Sequence, residues 1–307
     1  MPYSVMSLFS LLGALEIGLI FSLVALGVLI SFRILNFPDL TVDGSFPMGG
    51  AVAATLIAGG HDPFMSTFCG MLAGAAAGFI TGWLNVRLKI MDLLASILMM
   101  IALYSVNLRI MGKPNVPLIS EPTVFSLLQP EWMPDYVFRP VLLGVVVVIV
   151  KLLVDWFFST QVGLSLRATG ANPRMARAQG VATGAATLAG MALSNALVAL
   201  AGALYAQTQG GADVSMGIGT IVIGLAAVII GETVLPARRL VLTTLAVVIG
   251  AILYRFFIAL ALNSDFIGLQ AQDLNMVTAA LVVIALVLPG VRRKVFGKFA
   301  KTATKGN

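Results

Sequence analysis

Charge is scarce in this sequence. Only 10% of its 307 residues are charged, whereas the surface of a soluble protein needs roughly a quarter to a third. Hydrophobic residues make up 59% of the chain, and the mean hydropathy is +1.00. This composition excludes a water-soluble enzyme and a nucleic-acid-binding domain, and it predicts an integral membrane protein.

Cysteine and histidine are nearly absent, with Cys69 and His61 as the single examples. One cysteine cannot form a disulfide within the chain, and one histidine cannot build a multi-histidine metal site, so we predict no metal site. A phosphate-binding loop is missing too, because the Gly-Lys pairs are followed by Pro114 and Phe299 rather than by Ser or Thr. No constellation of acid, base and nucleophile is present, so we predict no catalytic residue and no cofactor in this chain. Active transport would have to draw on an ion gradient or on a separate ATPase.

Nine apolar runs approach the roughly 20 residues that a helix needs to cross the hydrocarbon core of a bilayer. They lie near 7–32, 46–59, 63–85, 90–111, 139–158, 182–206, 213–233, 239–262 and 273–290. The second run is too short to be a regular span. We therefore expect an all-α, polytopic membrane protein in which residues 1–307 form a single transmembrane domain.

The connections between these runs differ in basic charge. Short cytoplasmic loops retain positive charge, so the side with more Lys and Arg is predicted to be cytoplasmic. Fourteen of the 19 Lys and Arg residues fall in the connections 33–45, 86–92, 159–181 and 234–240 and in the tail from Val291. With nine spans, the amino terminus is then outside and the carboxyl terminus cytoplasmic, whereas eight spans would move the amino terminus inside.

A short string recurs in two of the apolar runs. LVALG at 23–27 and LVALAG at 197–202 each precede a Gly-rich or Pro-rich break. By the assigned topology, the first run points inward and the second outward. This favours two inverted repeats, about 7–111 and about 182–290, joined by a linking span at about 139–158. Chance similarity between apolar strings is the alternative.

The two breaks are rich in Gly and Asp and lie directly against apolar runs. The first, at 37–50, holds Asp39 and Asp43, and the second, at 210–219, holds Asp213. Proline and glycine interrupt a helix, so the backbone there must be satisfied by protein or by water in a cavity. We expect Asp43 and Asp213 each to cap the helix that follows. Paired broken helices indicate a translocation pathway, although ordinary capped loop ends at the membrane interface would give the same pattern.

A basic segment at 161–181 predicts a short cytoplasmic helix. Pro173 suits the first helical position, Asn172 suits its cap, and Gly180 suits its end. About two turns would then carry Arg174 and Arg177 on an exposed surface where a partner could dock. A basic loop that merely fixes topology would explain the arginines, but not the pattern Gly-x-x-x-Arg-Ala-x-Gly-x-Asn-Pro.

That pattern resembles the coupling loop of ABC importer permeases of the branched-chain amino acid and ribose type, and the resemblance covers nearly the whole chain. The run NFPDLTVDGSF at 36–46 resembles a subgroup of these permeases that is often described as taking up tryptophan or tyrosine. The predicted ATPase-coupling site combines the positions that match this loop with the two arginines of the short helix. Its residues are Gly163, Arg167, Gly170, Asn172, Pro173, Arg174, Met175, Ala176, Arg177 and Gly180. The resemblance places the substrate pathway at the two breaks, around Asp39, Asp43, Phe46, Gly49, Asp213 and Ser215.

The resemblance implies a permease subunit of an ATP-driven importer in the inner membrane, which moves a small, amino-acid-like solute. Its partners would be ABC ATPase subunits that bind ATP and magnesium, an extracytoplasmic solute-binding protein and a second permease copy in a homodimer, with no nucleic acid. An ion-coupled secondary transporter is the alternative, since such proteins also use inverted repeats and broken helices. Glu16 or Asp43 would then be the ion site.

Overall fold

The computed structural model describes residues 8–237, 239–263 and 283. These residues form eleven α-helices, one π-helical segment (Leu29–Ile34) that continues the first helix, and two short strands, β1 (Asn115–Pro117) and β2 (Gly211–Asp213). The helices are α1 (Leu8–Val28), α2 (Val42–Ala58), α3 (Pro63–Leu88), α4 (Asp92–Met111), α5 (Val124–Leu128), α6 (Asp135–Ser159), α7 (Gln161–Ala171), α8 (Pro173–Ala178), α9 (Thr183–Thr208), α10 (Thr220–Val234) and α11 (Leu240–Asn263).

Six of these helices are long and apolar enough to cross a membrane, namely α1 with its π-helical continuation, α3, α4, α6, α9 and α11. Two further apolar helices are shorter, since α2 has 17 residues and α10 has 15. At about 1.5 Å per residue they measure about 25 and 22 Å, less than the roughly 30 Å of a hydrocarbon core. Eight of the predicted runs are therefore helices, and the two beside the breaks are the short ones. The ninth, 273–290, lies outside the described residues except for residue 283.

The boundaries of the two short helices differ from the prediction. Helix α2 begins four residues earlier than expected, because the backbone of the Leu40–Thr41 turn already bonds to the amides of residues 43–45. Helix α10 begins seven residues later, since the chain first forms β2 and a series of turns that ends at Gly219, which has a φ of +82°. Glycine adopts this left-handed conformation without the steric cost of a side chain.

Connections predicted to share a side of the membrane lie together. Strands β1 and β2 pair antiparallel and so join the connection after α4 to the connection after α9. At the opposite end of the molecule, Arg33 Nε donates to Glu232 Oε1 at 2.8 Å, and Gly170 of α7 packs against the carbonyl oxygen of Ile34. This grouping agrees with spans that alternate in direction. Which end faces the cytoplasm, and whether the two halves form inverted repeats, stay predictions.

Small residues pack α2, α3 and α9 closely against one another. A side chain on Gly49 would collide with the backbone of Ala199, and one on Gly202 would collide with the backbone of Phe46. Lipid supplies no hydrophobic force between helices, so such close approach and interhelical hydrogen bonds hold membrane helices together. The same contact region contains Asn195, whose carboxamide oxygen accepts a bond of 2.7 Å from the Ser45 hydroxyl. Since Asn195 lies near the midpoint of the 26-residue α9, this end of α2 lies at mid-membrane depth.

Candidate functional site at the junction of two interrupted helices

The amino-terminal ends of α2 and α10 meet, and Asp43 joins them. Asp43 is the second residue of α2, and its Oδ1 accepts a hydrogen bond of 2.8 Å from the backbone amide of Ile221. Its Oδ2 accepts a longer bond of 3.3 Å from the amide of Gly219. Free amides at a helix amino terminus carry partial positive charge, so the Asp43 carboxylate is held at the amino-terminal end of α10.

The prediction that Asp43 caps its own helix is therefore wrong. Backbone carbonyls of Leu40 and Thr41 already bond the first amides of α2, which leaves the Asp43 side chain available to another helix. Helix α10 needs that acceptor, because its capping residue, Gly219, has no side chain. One carboxylate thus links the first half of the chain to the second.

The prediction that Asp213 caps α10 is also wrong. Asp213 lies in β2, six residues before the cap of α10, and it accepts hydrogen bonds from the backbone amide of Ser215 at 2.7 Å and from the Ser215 hydroxyl. These two bonds lower the pKa of the Asp213 carboxyl below its ordinary value. Asn115 Nδ2 of β1 is a third, distant donor at 3.5 Å. Asp213 and Ser215 therefore organise the loop beside the strand pair and do not lie at the helix junction.

Asp39 lies one turn before α2 and is only 1% exposed. Its carboxylate accepts bonds from the Thr41 amide at 2.9 Å and from Asn195 Nδ2 at 2.7 Å. A buried carboxylate is costly unless donors surround it, and these bonds supply that compensation. Asn195 at the same time bonds Ser45, so it bridges α9 to the break rather than facing open space. Asp39 therefore lies inside the protein in this conformation.

A cavity of about 510 Å³ opens beside the junction. Its wall combines the start of α2, the turns before α10 and one face of α4, and its lining residues are Asp43, Gly44, Pro47, Met100, Ile101, Tyr104, Ser105, Asn107, Val214 and Ile218. A pocket of this size, mostly apolar with a few polar groups, is typical of small-molecule sites. Helix α2 and the turns that lead into α10 thus contribute to one cavity.

Asn107 forms part of the cavity lining and is fully buried. Its Nδ2 donates to the carbonyl oxygen of Gly44 at 3.1 Å, which ties α4 to the first turn of α2. Its Oδ1 has no hydrogen-bond donor among the described residues. Buried polar atoms are nearly always bonded, so an orphaned acceptor at a cavity indicates a place for a donor from outside the chain.

Two predicted pathway residues, Phe46 and Gly49, face the protein interior. Phe46 has no exposed surface and stacks on Phe21 at a centroid distance of 5.8 Å, with Tyr205 at 5.5 Å. Gly49 is the closest point of contact between α2 and α9. Side-chain volume explains both placements, since the aromatic ring fills the core and the glycine permits backbone contact. Of the six predicted pathway positions, Asp43 is the one that lines this cavity.

The face of α4 is the part of the cavity that sequence reasoning did not assign to the pathway. Tyr104, Ser105 and Asn107 form a polar patch within an otherwise apolar span. Polar residues inside a membrane helix usually face protein or a cavity. In the sequence, this polar patch indicates that this face of α4 does not face lipid, although it does not reveal which helix lies opposite.

The second predicted site, at 161–181, folds as expected from local signals. Asn172 Oδ1 accepts from the Met175 amide at 3.1 Å, Pro173 begins α8, and the chain turns away at Gly180 with a φ of +83°. Ala176 packs inward, whereas Arg174 is exposed and Met175 is 61% exposed. Helix α8 therefore presents an exposed face that is both apolar and basic.

Helix α7 connects α8 to the end of the first span. Gly170 lies so close to the carbonyl oxygen of Ile34 that any side chain would collide with it, and a side chain on Gly163 would collide with the backbone of Phe157. Arg167 is exposed and lines a shallow cavity of about 540 Å³ together with Arg33. Helix α7 thus contacts the π-helical segment, whose Arg33 bonds to Glu232 near the carboxyl end of α10.

Partners within the protein are present for three further charged residues of the spans, Lys151, Asp155 and Arg255. Lys151 Nζ lies 2.5 Å from Asp155 Oδ2, as their spacing of four residues on one helix predicts, and Thr244 donates to Asp155 Oδ1 at 2.7 Å. Arg255 lies over the ring of Phe21, with its guanidinium carbon 5.8 Å from the ring centroid. Such a cation–π contact partly compensates a buried guanidinium.

Comparison with known proteins identifies the family. Residues 10–287 match the family model described as "Branched-chain amino acid transport system / permease component". The chain belongs to this permease family. A tyrosine transport system permease protein of Clostridioides difficile (strain R20291) is 38% identical over 274 residues, which cover 89% of this chain and 88% of that protein.

A second member, uncharacterized protein RP368 of Rickettsia prowazekii (strain Madrid E), is 36% identical over 209 residues, or 68% of this chain and 72% of that protein. No solved structure matches the chain. The family assignment confirms the expected resemblance, and the permease is a membrane component of an amino acid transport system of the ABC type.

Proposed function

We propose that this permease is the transmembrane subunit of an ATP-driven importer that carries a small solute, an amino acid or a similar compound, into the cytoplasm. The observation that carries the proposal is the exposed helix α8, capped by Asn172 and packed through α7 onto the end of the first span. Such a helix offers a separate ATPase a rigid docking element. ATP and magnesium would bind to that ATPase and not to this chain.

A series of contacts connects the docking element α8 to the cavity. Helix α7 contacts the π-helical segment, the Arg33–Glu232 pair joins that segment to the last turn of α10, and Asp43 holds the first turn of α10. Movement of α8 therefore changes the position of α10 relative to α2, and with it the side of the membrane to which the cavity opens. Single-turn π-helical segments are frequent at functional sites, where they allow a span to bend.

The family and the sidedness of the charges support a proposal for the remaining subunits. A second copy of the permease would complete a homodimer in the inner membrane, with the carboxyl terminus of each copy in the cytoplasm. A solute-binding protein would deliver the substrate at the end where β1 pairs with β2. The Clostridioides difficile relative is named for tyrosine, so an aromatic amino acid is the first substrate to test.

The docking role of α8 is tested by replacing both of its arginines. We expect the double variant Arg174→Ala/Arg177→Ala to fold normally, because both side chains are exposed and the variant loses the 3.2 Å bond from Arg177 to the Thr183 hydroxyl but no backbone bond of α8. Arginine at the centre of an interface contributes about 2 kcal/mol or more, so capture of the ATPase should weaken at least 30-fold for each arginine that is a hot spot.

The matched control removes two exposed positive charges elsewhere on the same side, Arg87→Ala/Lys89→Ala. Co-purification of the ATPase with each variant in native membranes is the measurement. The control should retain the ATPase at the unmodified level. Equal retention by both double variants would show that α8 is not the docking element.

A further inference from the structure

The cavity beside the helix junction offers hydrogen-bond acceptors and no cation. Asp43 contributes a carboxylate, and the ten lining residues include no Lys, Arg or His. Pro47 lacks an amide and therefore cannot bond to the Asp43 carbonyl four residues earlier, which leaves a further backbone acceptor without its usual helical donor. An anionic group of a solute would find no opposite charge on this wall.

Asp43 also closes the site where an anion would otherwise bind. The amino terminus of a broken helix usually receives the anionic group of a transported solute. Here the amides of Gly219 and Ile221 at the start of α10 already bond to the Asp43 carboxylate. A solute carboxylate would have to displace a carboxylate that belongs to the protein.

The acceptor that lacks a donor is at the same place. Asn107 bonds Gly44 through its Nδ2, so its orientation presents Oδ1 elsewhere, where the described residues supply no donor. An ammonium group carries three donors, which is enough to bond both the Asn107 oxygen and the Asp43 carboxylate, and these two residues line the same cavity. The oxygen has no exposed surface in this conformation, so the floor of the cavity must open before a solute reaches it.

The rest of the wall suits an apolar or aromatic body. Met100, Ile101, Val214 and Ile218 are apolar, and Tyr104 adds a ring with a hydroxyl. We infer that this cavity is a solute site that recognises a primary ammonium group through Asp43 and Asn107, and that it holds the solute's apolar side chain against α4. The inference rests on the proposed transport function and specifies the class of solute at that site.

Binding to the purified full-length permease in lipid nanodiscs, without ATPase or binding protein, tests the inference directly. The probes are tyrosine, tyramine, which keeps the amine and lacks the carboxylate, and 4-hydroxyphenylpropionate, which keeps the carboxylate and lacks the amine. Saturation-transfer NMR measures each. We expect saturable binding of tyrosine and tyramine, and at least tenfold weaker binding of the acid. Equal or tighter binding of the acid would overturn the inference.

Two variants locate the site. Asn107→Leu removes the unpaired oxygen at similar volume, together with the Nδ2 bond to Gly44, and the loss of a hydrogen bond to a charged group is enough to weaken tyramine binding about tenfold or more. Ile101→Trp fills the cavity from a residue that is 60% exposed, so folding is preserved and binding should be lost. Val145→Trp on α6, at a position that is 51% exposed and outside the cavity lining, is the control and should bind like the unmodified protein.

The two proposals fail in different ways. Tyramine binding that is unchanged in Ile101→Trp overturns the amine site, whatever the ATPase does. The docking of the ATPase on α8 is tested separately by co-purification. A negative result there would not change the interpretation of the tyramine binding data. Tyramine binding that is lost in Ile101→Trp and kept in Val145→Trp supports the site.

Discussion

Asp43→Ala is the perturbation that most directly probes the junction of the interrupted helices. It removes the acceptor of a 2.8 Å bond from Ile221 and a 3.3 Å bond from Gly219, and the helix α10 has no side-chain cap of its own. Replacing a capping side chain by alanine costs about 0.5–2 kcal/mol, and a bond to a charged group adds to the upper end of that range. We therefore expect the first turn of α10 to open about 2 kcal/mol more easily.

Hydrogen exchange measures that opening. A free-energy change of about 2 kcal/mol corresponds to exchange roughly 30-fold faster at the amides of residues 219–222. Asp43→Asn keeps one oxygen for the Ile221 amide and loses the charge, so we expect about half the free-energy change and roughly fivefold faster exchange. The control Asp213→Ala removes a carboxylate that does not touch α10 and should leave these amides unchanged. Identical exchange in all three variants would refute the assignment of Asp43 as the cap.

Two further predictions concern other parts of the protein. Gly170→Ala places a methyl group against the Ile34 carbonyl and should lower the thermal unfolding temperature of the permease. The control Gly144→Ala, at a glycine with open space around it, should not lower it. Equal effects of the two variants would contradict the packing of α7. The Ser215 bonds lower the pKa of Asp213, so their contribution is fully present above the ordinary pKa of 3.8 and is lost as the pH falls through the lowered value. Exchange at the Ser215 amide should rise over that acidic range, and Asp213→Asn should abolish this pH dependence.

Local signals predicted local structure well. Asn172, Pro173 and Gly180 lie within nine residues of one another, and each acts on the backbone beside it, so the sequence predicts the helix they delimit. The short length of α2 was likewise predicted, because Pro and Gly in the first break shorten that run, whereas the run that contains α10 was predicted to start at residue 213 and the helix starts at Thr220. Length and composition also predict the long spans, since the hydrocarbon core imposes a minimum length.

Contacts between distant residues escaped prediction. Asp43 caps a helix whose capping residue, Gly219, lies 176 residues later, and no local pattern distinguishes that role from a cap on its own helix. Phe46 stands in the same break but is buried against Phe21 and Tyr205, because the side of α2 that faces α1 and α9 depends on tertiary packing. The unpaired oxygen of Asn107 is similarly a property of the assembled helices.

The central claim is that an ATPase drives the permease through α8. Uptake of radiolabelled tyrosine into proteoliposomes, with and without the ATPase, binding protein and ATP, tests it most directly. The account predicts accumulation only when all of these components are present, and loss of accumulation in Arg174→Ala/Arg177→Ala. Accumulation by the permease alone, driven by an ion gradient, would contradict it.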